Sequence, residues 1–318
     1  MHVFGYKSKA SKSTGISDLR FWYNTAVGLG NFDGLHLGHM ALIHALIQKS
    51  SEYRLMSLIY TFGNHPVDIL AGKKINRFLT NNYNKTNLLR HTAIDALYYE
   101  KFDLAYAKMA PEDFVSDILV RKLNAKLVVV GFNYRFGNRG AGTIEDLRRF
   151  SQKYGFELSV MDQYQVDNIT VSSTYIKSML ADGDVENVSR YLGRLYSIKS
   201  SVCAGLRLGS AIGIPTANIV QDENAILPMS GVYITSTKIH GVFYRSLTSV
   251  GTNPTVGVLN RSIIETYIFE FDQLIYETEI EVFFHKRIRG IQRFESLNEL
   301  KLQIEKDMEE AKRYFCFN

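Results

Sequence analysis

The sequence predicts an α/β fold followed by a mainly β one: an N-terminal doubly wound parallel sheet, then a small C-terminal antiparallel β-barrel with a terminal helix. Three observations carry that expectation. In the first half, apolar runs of strand length alternate with stretches of helical periodicity, the order that gives parallel pairing. From about Tyr196 the pattern changes to short β-rich runs separated by turn residues, the spacing of a small barrel. At 318 residues the chain is too long for one ordinary core. The change of style places a boundary near residue 195 and gives domains 1–195 and 196–318.

Each element has its own signal. Ala26–Asn31 (AVGLGN) reads as a short buried strand ending in glycine, and Leu35–Ser50 carries apolar residues at helical spacing. Leu55–Phe62 (LMSLIYTF) is a second strand, and Asn84–Tyr99 reads as a helix. Pro111 suits the first position of a helix over Glu112–Leu123, where its missing N–H costs nothing. Leu127–Gly131 (LVVVG), β-branched and uncharged, is the clearest buried strand. Thr143 is placed to cap a helix that ends at Gly155, and a last helical stretch covers Thr174–Leu192. The later runs GVYITSTKI, GVFYRSLTSVG, SIIETYIFEF and EIEVFFHKRI read as barrel strands, with Pro215, Pro228 and Pro254 at run boundaries. Near the end, Ser296 is positioned as an N-cap, and Leu297, Leu300, Ile304 and Met308 fall on one helical face.

Composition narrows the class. Apolar residues make up 46% and charged residues 22%, a globular balance rather than a disordered one. No stretch approaches the roughly 18 apolar residues of a membrane helix, and the N-terminus lacks the apolar block of a secretory signal. Two cysteines, Cys203 and Cys316, are too few for a disulfide framework or a cysteine zinc site and are expected as small buried hydrophobes. A cytoplasmic protein without membrane partners is the expectation. Lys and Arg total 37 against 32 acidic residues, a net +5 that suits an anionic ligand such as a nucleotide without requiring nucleic acid.

The most informative stretch is GNFDGLHLGHM, residues 30–40. A strand ends, a glycine-bearing turn follows and a helix begins, so free N–H groups and the positive end of the helix dipole face whatever binds there. His36 and His39, three apart, fall in the first helical turn and can donate to phosphate oxygens. Gly38 between them lets a ligand approach the backbone. Two histidines are too few for a zinc site. The chemistry this suits is attack on a nucleotide α-phosphate, in which the protein positions groups and neutralises developing charge.

GNFDGLHLGH resembles the HxGH signature of nucleotidylyltransferases in the form found in the prokaryotic bifunctional riboflavin kinase/FMN adenylyltransferase (FAD synthetase) family. The likeness continues in order through TFGNHP (61–66), VVVGFNYRFGNRGAG (128–142), VSSTYIKSMLADGDVENVSRYLG (171–193), GIPTANI (213–219), LPMSGVY (227–233) and GTNPT (251–255). It covers about residues 20–315. It implies two ATP-dependent steps with Mg²⁺: phosphorylation of riboflavin to FMN, and adenylylation of FMN to FAD with release of pyrophosphate.

The resemblance assigns roles by position. His36 and His39 would contact ATP phosphates, with Asn31 and Asp33 shaping their loop, although turn chemistry alone also explains the last two. His65, held extended by Pro66, either faces the phosphates or packs. Asn133 stands after a parallel strand where the family commonly has Asp. Ser173 and Thr174 would donate hydroxyls at a helix start, where they can equally act as caps, and Lys177 stands where the family has Arg. Thr216 and Asn218 resemble the pair that binds Mg²⁺ and ATP phosphate, hard oxygen donors suited to that ion. Glu265 matches the family's catalytic base; without the resemblance it reads as an outward strand glutamate. Gly205, Gly209 and Gly213 would approach nucleotide phosphates through backbone N–H groups. Two other readings stay open: a chain with one of the two activities, and a non-catalytic flavin- or RNA-binding relative.

Overall fold

The computed structural model describes residues 1–5, 21–203, 213–219, 224–252 and 262–317. The chain divides into two units, Met1–Ser173 and Thr174–Asn318. In the first, strands β1 (His2–Gly5), β2 (Thr25–Leu29), β3 (Met56–Phe62), β4 (Ala96–Glu100), β5 (Ala125–Gly131) and β6 (Glu157–Met161) form one sheet in the order β1-β4-β3-β2-β5-β6. Every pairing is parallel. The chain runs outward from β2 through β3 and returns to β2's other side with β5. The strand ends of β2 and β5 therefore flank the point where the winding reverses, the usual ligand crevice of an open α/β sheet.

Helices cover both faces. They are α1 (Leu37–Glu52), α2 (Pro66–Ala71), α3 (Asn82–Arg90), α4 (Leu104–Ala107), α5 (Pro111–Asp113), which runs on as a π-helical segment over Phe114–Lys122, and α6 (Ile144–Tyr154). On one face Val27, Leu29 and Val128 pack with Phe114, Leu119 and Leu147. On the other, Ala26, Ile59 and Val129 pack with Leu42, Ile43 and Leu46 of α1. A Cβ at Gly28 would lie 2.9 Å from Leu46 Cδ2, so α1 approaches β2 at a distance only glycine permits. Thr143 caps α6 in a capping box with Asp146, and Gly155 ends it at φ 72°. A ribbon of β7 (Gln165–Val166) and β8 (Ile169–Thr170) turns through Asp167 and Asn168, both at positive φ.

Three expectations change here. The helix expected over Asn84–Tyr99 is two elements, α3 and then β4. The segment ALYYE is buried on both sides of the sheet, and its tyrosines suit a strand, so tertiary burial overrides the helical spacing that precedes it. α1 starts at Leu37 rather than Leu35, because Leu35 stands at φ 43° in the preceding turn. The helix expected over Glu112–Leu123 is largely π-helical.

In the second unit, α7 (Ser173–Asp182) and α8 (Val185–Leu192) divide the single helical stretch at Gly183, whose φ of 80° ends the first. Strands β9 (Tyr196–Cys203), β10 (Ala217–Ile219), β11 (Gly231–Ile239), β12 (Val242–Thr252), β13 (Ser262–Ile268) and β14 (Glu279–Arg289) close an antiparallel barrel in the order β10-β13-β12-β11-β14-β9. Closure leaves no free sheet edge. The outward face of β11 places Val232 and Ile234 against Met308, Ala311 and Phe315 of α9 (Leu297–Phe317). The inward face carries hydroxyls. Thr235, Thr237, Ser246, Thr248 and Thr266 are all fully buried and bond to one another at 2.8–3.0 Å, so none of these oxygens is left unsatisfied. Arg289 grips Asp307 of α9 through both carboxylate oxygens. Ser296 accepts the Glu299 N–H as expected; of the expected face Leu297 is exposed, Leu300 and Ile304 are half-buried, and the packed stripe continues from Met308 through Ala311 and Phe315. Cys203 is half-buried and Cys316 exposed, so the second is not the buried hydrophobe expected.

Candidate active sites

The turn between β2 and α1 is tightly constrained. Phe32, Gly34 and Leu35 stand at φ 49°, 85° and 43°. Phe32 and Leu35 are nevertheless buried, and that burial holds residues in a region non-glycine side chains avoid. The turn delivers His36 as the N-cap of α1: its Nδ1 accepts the His39 N–H at 3.3 Å, which leaves Nε2 to carry the ring hydrogen. The sequence places both histidines inside the helix; the structure makes the first its cap. The two imidazoles stack at 3.6 Å between centroids and 17° between planes. A Cβ on Gly38 would lie 3.3 Å from the His36 ring, so glycine keeps the approach between them open.

Neighbouring residues fix this loop. Asp33 Oδ1 accepts the Leu79 and Thr80 N–H groups, and its main-chain carbonyl accepts the Ser173 hydroxyl at 2.8 Å. The Asn31 carbonyl accepts Thr61 Oγ1 and the Lys85 ammonium, the latter at 2.7 Å. These bonds hold Asn31 and Asp33, in the turn just before the His36–His39 pair, and tie Ser173 to that turn. His65 lies just past β3, capping α2 through Nδ1, and Asn133 lies exposed just past β5; both belong to strands that flank β2. Thr174, exposed, and Lys177, half-buried, lie at the start of α7 in the second unit. Lys85 was not singled out from the sequence. Nothing local marks it, since its role depends on a bond to a residue 54 positions away.

In the barrel, Asn218 on β10 pairs directly with Glu265 on β13. Opposed residues on antiparallel strands present their side chains on one face, about 5 Å apart at Cβ. Thr266 faces the barrel interior, so its neighbour Glu265 faces out, as Asn218 does with it. Burial raises the Glu265 pKa above the ordinary glutamate value. Thr216, half-buried, lies one residue before β10, and Gly213 is exposed at φ 79°. Gly205 and Gly209 lie outside the described residues.

Family models for FAD synthetase and riboflavin kinase match residues 19–175 and 192–315. The chain belongs to the bifunctional riboflavin kinase/FMN adenylyltransferase family. Relatives of that name match it along most of its length. The one from Buchnera aphidicola subsp. Schizaphis graminum is 34% identical, covering 92% of this chain and 94% of that one. The one from Bacillus subtilis is 33% identical, covering 92% of each. Among solved structures, the macrolide-efflux protein of Streptococcus pneumoniae superposes with a TM-score of 0.86 at 27% identity, over 98% of this chain and 99% of that one. No helix among the described residues is long and apolar enough to cross a membrane.

Proposed function

We infer that this chain makes FMN and then FAD: the barrel transfers the ATP γ-phosphate to riboflavin, and the first unit transfers AMP from a second ATP to the FMN phosphate. The observation that carries the reading is the stacked His36–His39 pair at the N-terminus of α1, at the reversal point of the sheet. There the imidazoles and the positive end of the α1 dipole offset the charge that builds on the α-phosphate and the departing pyrophosphate as the FMN oxygen attacks. Asn31, Asp33 and Ser173 hold the loop, and His65 and Asn133 add nucleotide contacts; for Thr174 and Lys177 the nucleotide role is what the resemblance implies. Family resemblance supports those roles. The functional modules in this reading are residues 1–195 and 196–318.

In the barrel, Glu265 takes the proton of the ribityl hydroxyl as that oxygen attacks the γ-phosphorus and ADP leaves. Its raised pKa makes it a stronger base than an exposed glutamate. The resemblance gives Gly205, Gly209 and Gly213 a role in binding phosphate. Among the described residues no cluster of three or more His, Cys, Asp or Glu could hold a metal alone. The oxygen donors Thr216 and Asn218, beside Glu265, fit Mg²⁺ that arrives with nucleotide and keeps part of its shell from phosphates and water. Bound there, Mg²⁺ would screen phosphate charge. Riboflavin, FMN and ATP are the partners, FMN and FAD leave as products, and the reaction takes place in the cytoplasm without nucleic acid.

The test is incubation of the full chain with riboflavin, ATP and Mg²⁺, followed by separation of products. FMN and FAD should both accumulate. FMN alone would leave only the kinase reading, and neither product from folded protein would refute both.

A further inference from the structure

α3 presents one buried cation to the loop that carries the histidine pair. Lys85 is only 5% exposed, yet its Nζ donates to the Asn31 carbonyl at 2.7 Å. A charged amine in a protein interior is costly unless its surroundings compensate. Asp33 supplies part of that compensation: burial lowers the Lys85 pKa, the Asp33 charge raises it, and the balance is about 8. The ammonium form therefore predominates at neutral pH.

What this cation grips is the strained turn. Phe32 and Leu35 hold positive φ, a region non-glycine residues avoid, and such backbone persists only where neighbours over-determine it. The segment that ends in Lys85 seizes the turn at two points, the Asn31 carbonyl through Lys85 and the Asp33 carboxylate through the Leu79 and Thr80 N–H groups. Both points lie between β2 and the His36 cap.

We propose that Lys85 is a positioning residue for adenylyl transfer: by anchoring the Asn31 carbonyl it holds the turn that aims His36 and His39 at the nucleotide phosphates. The inference rests on the adenylyltransferase reading of that loop. A lysine that merely supports the fold would change stability and leave the kinetic constants of FAD formation in place.

The experiment uses the full chain with Lys85→Met, which keeps the aliphatic length and removes the charge. With FMN and ATP as substrates, the KM for ATP should rise and kcat fall, their ratio changing by about tenfold or more, as expected for a misplaced phosphate site. Conversion of riboflavin to FMN by the barrel should stay within about twofold. In hydrogen exchange, amides of residues 30–36 should exchange faster than in the wild type while barrel amides keep their rates. Unchanged constants for FAD formation overturn the proposal, whatever happens to the Tm. If Lys85→Met fails to fold, Thr61→Val decides: it removes the other donor to the same carbonyl at nearly constant volume. A several-fold rise in KM for ATP is then expected, and no change overturns the proposal. A wild-type chain that makes no FAD from FMN would refute the adenylyltransferase reading instead, and the exchange rates would decide the anchoring alone, unchanged rates overturning it.

Discussion

As the proposed base, Glu265 would trade stability for chemistry. Its folded pKa is raised by burial, so folding favours its protonated form. The sign follows from linkage: this group's contribution is fully present below its unfolded pKa and is lost as pH rises through the higher folded value. Glu265→Gln should therefore raise the Tm at pH 8 while cutting riboflavin phosphorylation by about 10²- to 10⁴-fold. Thermal melts and FMN formation on the same sample check both halves. In the wild type, the acid limb of the kinase pH profile should lie above 4.5, the unperturbed glutamate value. On the other unit, His39→Ala should slow FMN-to-FAD conversion by about 10²- to 10³-fold and leave FMN formation unchanged, read by assaying the two steps separately.

Elements depend on a few close approaches. At Gly28 an added methyl would press on Leu46 of α1, so Gly28→Ala should destabilise the first unit by about 1–3 kcal/mol, measured by denaturant unfolding. α9 is tied to β14 by the Arg289–Asp307 pair, whose side chains are 15% and 5% exposed. Asp307→Ala leaves that guanidinium buried without its carboxylate and should cost about 3–5 kcal/mol, seen as lost protection of α9 in hydrogen exchange. The sequence made elements legible where local chemistry decides them. Thr143, Gly155 and Ser296 cap helices through bonds to residues three or four positions away. Strand β4 was hidden because ALYYE becomes a strand only when sheet neighbours bury both its faces. The break at Gly183 was hidden because one glycine is compatible with a continuing helix.

At the scale of the molecule, both fold classes and the change of style near Tyr196 were readable, since periodicity in each half reflects which faces are buried. The loop that carries His36 and His39 was readable for a different reason: strand, glycine turn and histidine pair are contiguous in the chain. What escaped was long-range. Lys85 reaches back to Asn31, and Asn218 meets Glu265 only through strand register. Two sites on separate elements mean that FMN made at one must travel to the other, within a chain or between chains. The most direct test mixes Glu265→Gln protein with His39→Ala protein in the presence of riboflavin, ATP and Mg²⁺. Each alone should fail to make FAD from riboflavin, and the mixture should make it. A mixture as inactive as its components, although each retains its remaining half-reaction, would contradict two independent sites linked by free FMN.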